Sequence, residues 1–350
     1  MKRYPSLQIL RAVAAWLVVY HHFMQIYFGL RSSTFLGKFF SDSGAFGVHI
    51  FFVISGFVMY LCTFKPGLDG KDFFVDRILR IVPVYWFYLL VLLALFSLNS
   101  AVFKATDWNL ASLLMSMFFI PSENPSGLGP YPFLTVGWTL NFEMFFYASL
   151  SLFLVINKRF AILFCCLFLG VLPLVWQLKW PGGSVLSSML LYEFVAGIVL
   201  SFFWKKFEPQ VSWRKTMLGF AALALATYGF GANPSSKSIW FLSAIGMVFS
   251  FLCLDDVFTS TSATGRFLRY LGDISYSTYL NHSIVIATGA YYFGINGGFV
   301  PTMTTAIVLS VVIFTISAFS HKYVETGPFI RFLKSLLKNN RSVVAQRSAN

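Results

Sequence analysis

The chain has 350 residues, of which 57% are hydrophobic and only 11% are charged, against about 25% charged residues in soluble domains. This composition excludes a soluble globular protein and predicts an all-α, polytopic integral membrane protein. The formal net charge of +13 would suit a nucleic-acid-binding protein. The basic residues cluster beside hydrophobic segments, however, where they orient a chain in a membrane, so we expect no nucleic-acid partner.

Ten segments are apolar and long enough to cross about 30 Å of hydrocarbon. In chain order they cover residues 6–28, 44–63, 76–99, 136–156, 160–178, 186–204, 215–231, 238–254, 269–290 and 302–323. We interpret residues 1–330 as a single transmembrane domain and residues 331–350 as a basic cytoplasmic tail that is disordered at its end. The first segment is too long for the apolar part of a signal peptide, and no small-residue cleavage site follows it, so we expect no cleaved leader.

Segment 108–120 is apolar but short, and a Pro/Gly-rich stretch follows it. If it does not cross, both termini are cytoplasmic, and twenty of the 26 Lys and Arg residues lie inside against five outside. If it crosses, the later segments invert, leaving eight inside and seventeen outside. Because cytoplasmic loops carry an excess of Lys and Arg, the first topology is favoured. We therefore predict about ten transmembrane helices, cytoplasmic N- and C-termini, and a short re-entrant or interfacial helix at 108–120 on the outer side.

Arg11 and His22 lie eleven positions apart in the first span. At about 100° and 1.5 Å per residue, eleven steps return to within roughly 20° of the same helix face, about 16 Å along the axis, whereas His21 lies roughly 80° away. A cation and an imidazole on one stripe are costly in lipid and should face the protein interior. Since a histidine can shuttle protons or activate a hydroxyl near neutral pH, the stripe is a candidate active site. A structural interhelix pair is the alternative.

Other ionisable residues also fall inside the predicted spans. The topology places Glu143 at a depth similar to that of His22, where its carboxylate could orient the imidazole. Glu193 and His49 lie in the outer thirds of their spans, and we interpret them as hydrogen-bonded structural groups. The four cysteines show neither metal-ligand nor disulfide spacing, so we expect packing roles for them and no metal site.

Arg77 and Arg80 lie about one turn apart at the cytoplasmic start of the third span and are followed by Pro83. On position alone, they would equally suit a binding site for an anionic ligand or an anchor at the membrane interface. Trp138 has the same ambiguity, because tryptophans are common at membrane interfaces.

The residues at these positions resemble the membrane acyltransferase-3 family. The resemblance runs in order through LQILRAVAAWLVVYHH, GVHIFFVISGFVMY, DRILRIVPVYW, VGWTLNFEMFFY, LGDISYSTYLNH and HKYVETGP. It is greatest to bacterial exopolysaccharide and O-antigen O-acyltransferases, in the stand-alone form that lacks the fused extracytoplasmic hydrolase-like domain of some relatives. One position departs from the family pattern: His49 stands where relatives commonly carry the acid of G-V-D-x-F-F.

The resemblance implies that Arg11 and His22 are the signature pair of the family, that Arg77 and Arg80 are its paired arginines and that Glu143 is its glutamate. It also implies acyl-CoA, usually acetyl-CoA, as a co-substrate rather than a permanently bound cofactor, and a glycan hydroxyl as acceptor. The predicted site comprises catalytic His22 and Glu143, donor-binding Arg11, Arg77 and Arg80, and acceptor-binding or supporting Trp138, Asn141, Tyr276 and His282.

These inferences predict an O-acyltransferase, specifically an O-acetyltransferase, of the bacterial inner membrane. It would move an acyl group from cytoplasmic acyl-CoA to a hydroxyl of a cell-surface polysaccharide or of its lipid-linked precursor, among membrane lipids and polysaccharide assembly proteins. Buried charges also suit a transporter or flippase for a lipid-linked glycan. A structural subunit of a polysaccharide assembly complex is a second alternative, and it predicts that His22 and Glu143 are dispensable.

Overall fold

The computed structural model describes residues 4–103, 106–175, 183–186, 188–207, 213–232, 236–259, 262–294, 299–328, 330–333 and 335. Across these ranges the chain is helical, which confirms the all-α prediction. The helices are α1 (Pro5–Phe28), α2 (Phe35–Ser43), α3 (Phe46–Thr63), α4 (Gly70–Leu98), α5 (Leu110–Met117), α6 (Trp138–Ile156), α7 (Ala161–Val175), α8 (Gly183–Leu186), α9 (Leu191–Phe207), α10 (Trp213–Ala232), α11 (Lys237–Cys253), α12 (Ala263–Asp273), α13 (Ser275–Phe293) and α14 (Phe299–Ser320). A π-helical turn, His321–Glu325, follows α14.

Several of these helices have the length and composition of membrane spans. Five stretches qualify among the described residues: Pro5–Phe28, Phe46–Thr63, Gly70–Leu98, Thr135–Ile156 and Met303–Leu333. The shorter apolar helices Ala161–Val175 and Lys237–Cys253 coincide with two more predicted spans. The protein is therefore polytopic, as the composition indicates, while the exact number of spans and the side of each terminus stay predictions.

Three helix boundaries differ from the sequence prediction. Helix α4 begins at Gly70, well before residue 76, because the Asp69 side chain caps it by accepting a 2.7 Å hydrogen bond from the backbone N–H of Asp72. The sixth span is shifted to α9. The ninth is divided at Ile274 into α12 and α13, which lets α12 pack directly on α1: a Cβ at Gly272 would lie 1.9 Å from the carbonyl oxygen of Gln8. Of the predicted tail, residues 336–350 lie outside the described residues.

Segment 108–120 forms the eight-residue helix α5. At 1.5 Å per residue this helix is about 12 Å long, too short to cross a bilayer. A capping box between Asn109 and Ser112 starts it, and Phe119 ends it with a left-handed φ of 59°. The Trp86 indole N–H of α4 donates to the carbonyl oxygen of Met117, so the helix and its loop rest against α4.

Helix α1 lies at the centre of the helix bundle and contacts α2, α3, α11, α12 and α13. Small residues allow this close packing, since a Cβ at Gly47 of α3 would lie 2.2 Å from the carbonyl oxygen of Ala14. Helices α7, α10 and α14 instead carry exposed apolar side chains, among them Leu167, Leu225 and Val311. Such surfaces suit contact with lipid. Because α1 is surrounded by other helices, its residues are shielded from lipid on several sides.

Candidate active site

A cavity of about 340 Å³ lies between α1, α3, α4, α6, α12 and α13. It extends from the first turns of α1 and the end of α12, the end predicted to be cytoplasmic, to Thr139 near the start of α6. The charged residues in its lining are Arg11, Arg80, Glu143 and Asp273; most of the other lining residues are apolar or aromatic. The cavity thus holds two guanidinium groups and two carboxylates between apolar walls, where charges interact more strongly than they do in water.

Glu143 is held at this cavity by hydrogen bonds from two helices. Its carboxylate accepts a 3.0 Å hydrogen bond from the Ser55 hydroxyl of α3 and a short one from the Tyr147 hydroxyl, one turn further along α6. Arg11 and Arg80 both interact electrostatically with the same carboxylate. Glu143 therefore lies in a fixed position among the arginines.

Arg77, the other predicted donor-binding arginine, is not among the cavity-lining residues. Its guanidinium carbon lies 5.9 Å from the Phe73 ring centroid, and that ring packs edge-on against Tyr147, with centroids 6.3 Å apart. Its Nε is buried without a hydrogen-bond partner in the part of the chain that the structure describes. Arg77 thus adds positive charge close to Tyr147 rather than in the cavity wall.

His22 lies beside His282 of α13, and the His282 side chain is fully buried. The two ring centroids are 4.9 Å apart, and Nε2 of His282 is 3.3 Å from Nδ1 of His22. Each Nδ1 also faces a carbonyl oxygen one turn earlier in its own helix: that of Val18 at 2.9 Å from His22 and that of Thr278 at 3.3 Å from His282.

These contacts determine the tautomers of the neutral pair. Because carbonyl oxygens only accept hydrogen bonds, we assign the proton of each ring to Nδ1. The one Nδ1–H of His22 is then shared between the Val18 carbonyl oxygen and Nε2 of His282, and Nε2 of His22 retains its lone pair. His22 can therefore act as a base through Nε2. The adjacent His21 faces α2, with its Nδ1 3.1 Å from the carbonyl oxygen of Phe40, as expected for neighbouring positions on a helix.

The expectation that Glu143 orients His22 is therefore corrected: the structure directs Glu143 to Ser55 and Tyr147, and it pairs His22 with His282. The reason is the length of α1, since Arg11 and His22 are about 16 Å apart along its axis and Glu143 lies near Arg11. The roles assigned to these residues stay predictions.

The other residues predicted to bind or support the acceptor are Tyr276, Trp138 and Asn141. Tyr276 lines the cavity and donates a 2.9 Å hydrogen bond to the carbonyl oxygen of Ile81. Trp138 begins α6 and packs edge-on against Phe142, with ring centroids 5.7 Å apart. Asn141, on the same helix, is buried. Trp138 and Asn141 lie outside the cavity lining, and the predicted contact of all three side chains with an acceptor stays a prediction.

Tyr279 connects the cavity to the histidine pair, a position that sequence reasoning missed. It lines the cavity, and its ring centroid is 5.7 Å from that of His282. Its hydroxyl donates to the carbonyl oxygen of Val136 at 3.1 Å and accepts from Thr139 at 3.0 Å. Its place one turn before His282 in SYSTYLNH is the signal that would have indicated it.

His49 and Glu193, interpreted above as separate structural groups, contact each other. Nδ1 of His49 is hydrogen-bonded to the Glu193 carboxylate and so joins α3 to α9. The pair lies outside the cavity lining and forms a second polar cluster between helices.

Comparison with known proteins supports the resemblance. A family model described as an acyltransferase domain matches residues 4–321. The exopolysaccharide production protein ExoZ of Rhizobium meliloti is 32% identical over 283 residues, which cover 79% of this chain and 87% of that protein.

The peptidoglycan O-acetyltransferase OatA of Listeria monocytogenes is 24% identical over 385 residues. That match covers 97% of this chain but only 58% of OatA, so the chain spans little more than half of that relative. No solved structure matches the chain. The family match over nearly the whole chain, together with the ExoZ similarity, shows that this protein belongs to the acyltransferase-3 family.

Proposed function

We propose that the protein is an inner-membrane O-acyltransferase that transfers an acetyl group from cytoplasmic acetyl-CoA to a hydroxyl of a cell-surface polysaccharide or of its lipid-linked precursor. The observation that carries this proposal is the arrangement along α1, with an arginine cavity at one end and a paired histidine at the other. The name of ExoZ supports an exopolysaccharide acceptor, and the name of OatA supports an acetyl group.

The arginine cavity suits the phosphates of the donor. Arg11 and Arg80 line it, and guanidinium groups bind phosphate oxygens through paired, charge-assisted hydrogen bonds. Arg77 contributes long-range attraction from outside the lining. Glu143 is a positioning residue in this proposal, because its carboxylate lines the same cavity as Arg11 and Arg80 and attracts both guanidinium groups.

His22 is the proposed general base. Its Nε2 takes the proton of the acceptor hydroxyl while that oxygen attacks the thioester carbonyl carbon. The carbon–sulfur bond then breaks, the imidazolium returns the proton to the leaving thiolate, and the products are the glycan ester and free CoA. A direct transfer of this kind needs no acyl-enzyme intermediate; transient acylation of His22 is the alternative route.

The separation between the two ends of α1 favours an elongated donor. A ligand that contacts Arg11 with its phosphates must extend about 16 Å along the helix to place a reactive carbon at His22. Acyl-CoA has this form, with a charged nucleotide at one end and a thioester at the other. Tyr279 lies between the two regions, where it contacts both the cavity and the histidine pair.

The test is transfer of label from radiolabelled acetyl-CoA to extracted surface glycan in membranes that contain the protein. Label should reach the glycan with the wild-type protein and with the lipid-facing control Val171→Ala, and it should fall to background with His22→Ala. Glycan translocation without transfer of label would instead identify a flippase. Mass spectrometry of surface glycan from a deletion strain would then identify the acyl group and its position from the missing mass.

A further inference from the structure

The His49–Glu193 cluster lies deep between helices. Glu193 is only 2% exposed, and one of its carboxylate oxygens is bonded to His49. The other oxygen, Oε2, is buried without a hydrogen-bond partner among the described residues. Trp240 of α11 packs edge-on against the His49 ring, with centroids 5.2 Å apart. A buried ionisable side chain without a partner destabilises a protein, so removing either member of the pair should destabilise the fold.

The pair lies where the backbones of α3 and α9 pack closely against each other. A Cβ at Gly56 of α3 would lie 2.1 Å from the carbonyl oxygen of Phe194, and one at Gly197 of α9 would lie 2.1 Å from that of Val53. The two backbones therefore touch. Such contacts between small residues let transmembrane helices pack closely.

Contacts between α3 and α9 occur in the same order along both helices, which therefore run parallel. They are His49 with Glu193, Phe52 with Phe194, Tyr60 with Phe202, and Phe64 with Lys205. The aromatic contacts among them do not strongly specify one register, because rings can repack after a shift of one turn. A buried polar pair does specify it, since any shift leaves both groups without partners.

The register of α3 bears directly on the cavity. Ser55 lies on the same helix, between the aromatic contacts of Phe52 and Tyr60, and donates the 3.0 Å hydrogen bond that holds Glu143. Other residues of α3, including Phe51, Ile54 and Val58, line the cavity. A shift of α3 along α9 would therefore separate Ser55 from Glu143 and rearrange one wall of the site.

We propose that His49 and Glu193 are a positioning pair, which fixes the register of α3 against α9 and thereby holds Ser55 in contact with Glu143. Neither residue lines the cavity. Their effect on acyl transfer passes through Ser55, whose hydroxyl donates to the Glu143 carboxylate.

The test is a double-mutant cycle between Glu193→Ala and Ser55→Ala, measured as kcat per amount of folded protein in membranes. Each single variant should lower kcat about tenfold, because displacements of about 1 Å have effects of this order or larger. The double variant should be no worse than the poorer single variant. The exchange His49→Glu with Glu193→His should restore most of the activity, and Val199→Ala on the exposed face of α9 is the matched control.

Two results would overturn the proposal: unchanged kcat in Glu193→Ala, or effects of Glu193→Ala and Ser55→Ala that multiply. If Glu193→Ala does not accumulate as folded protein, the similarly sized Glu193→Met, which lacks the carboxylate that pairs with His49, replaces it in the cycle. The kcat measurement rests on the proposed function, so wild-type membranes must first transfer label. Thermal unfolding in detergent does not depend on acyl transfer. Glu193→Ala should lower Tm, and the exchanged pair should restore it. A wild-type Tm in Glu193→Ala would also refute the proposal.

Discussion

Replacing His282 by alanine tests how the histidine pair works. The substitution removes the Nε2 acceptor that lies 3.3 Å from Nδ1 of His22. A net hydrogen bond contributes about 1 kcal/mol, which corresponds to roughly a fivefold change in rate. The bond from His22 to the Val18 carbonyl oxygen remains and keeps the proton on Nδ1. We therefore expect His282→Ala to lower kcat about fivefold, whereas His22→Ala removes the base itself and should cost about 10²–10⁴-fold.

The assay is transfer of radiolabelled acetyl groups in membranes, normalised to the amount of protein. His282→Gln is the conservative control, because its amide oxygen can accept the same hydrogen bond, and it should retain more activity than His282→Ala. The reasoning would be refuted if His282→Ala were as inactive as His22→Ala, because His282 would then take part in the chemistry directly. Full activity in His22→Ala would remove His22 from the mechanism.

Three further predictions follow from the cavity and the helix contacts. Arg80→Ala should raise the KM for acetyl-CoA about tenfold or more, and Arg77→Ala should raise it less, because only Arg80 lines the cavity; equal effects in steady-state kinetics would contradict this order. Tyr147→Phe removes one hydrogen bond to the half-buried Glu143 carboxylate and should lower kcat/KM about fivefold; unchanged kinetics would show that this bond is dispensable. Gly197→Ala should destabilise the protein by about 1–3 kcal/mol, whereas Gly170→Ala, which faces open space, should not lower Tm; equal Tm values would refute the close helix contact.

Hydrophobic periodicity predicted the helices, because helix formation in these segments follows from local sequence. The ten predicted spans coincide with described helices, and segment 108–120 is too short to cross. The helical phase also placed His21 and His22 on different faces of α1. The structure confirms this, since His21 contacts α2 and His22 contacts α13. Local capping at Asp69 and the break at Ile274 are what shifted the predicted boundaries.

Depth alone does not determine which helices are neighbours. Glu143 and His22 were expected to meet because the topology placed them at a similar depth, yet Glu143 lies in the cavity with Arg11, and His22 contacts a residue on α13, 260 positions away. His49 and Glu193, each unremarkable on its own helix, meet across 144 positions. Such pairs depend on how close the helix backbones approach, as at Gly56 and Gly197, and a single sequence does not specify this.

The separation of the arginine cavity from the histidine pair has a consequence for how the enzyme can diversify. Under the proposed roles, the groups that recognise the carrier and the groups that act on the transferred unit occupy opposite ends of α1. Changes near His22 and His282 can then alter which acyl group or acceptor is used, while Arg11 and Arg80 continue to bind the same carrier. The Arg11 end of α1 would thus keep binding the same acyl carrier, while changes at the His22 end would alter the acylated product.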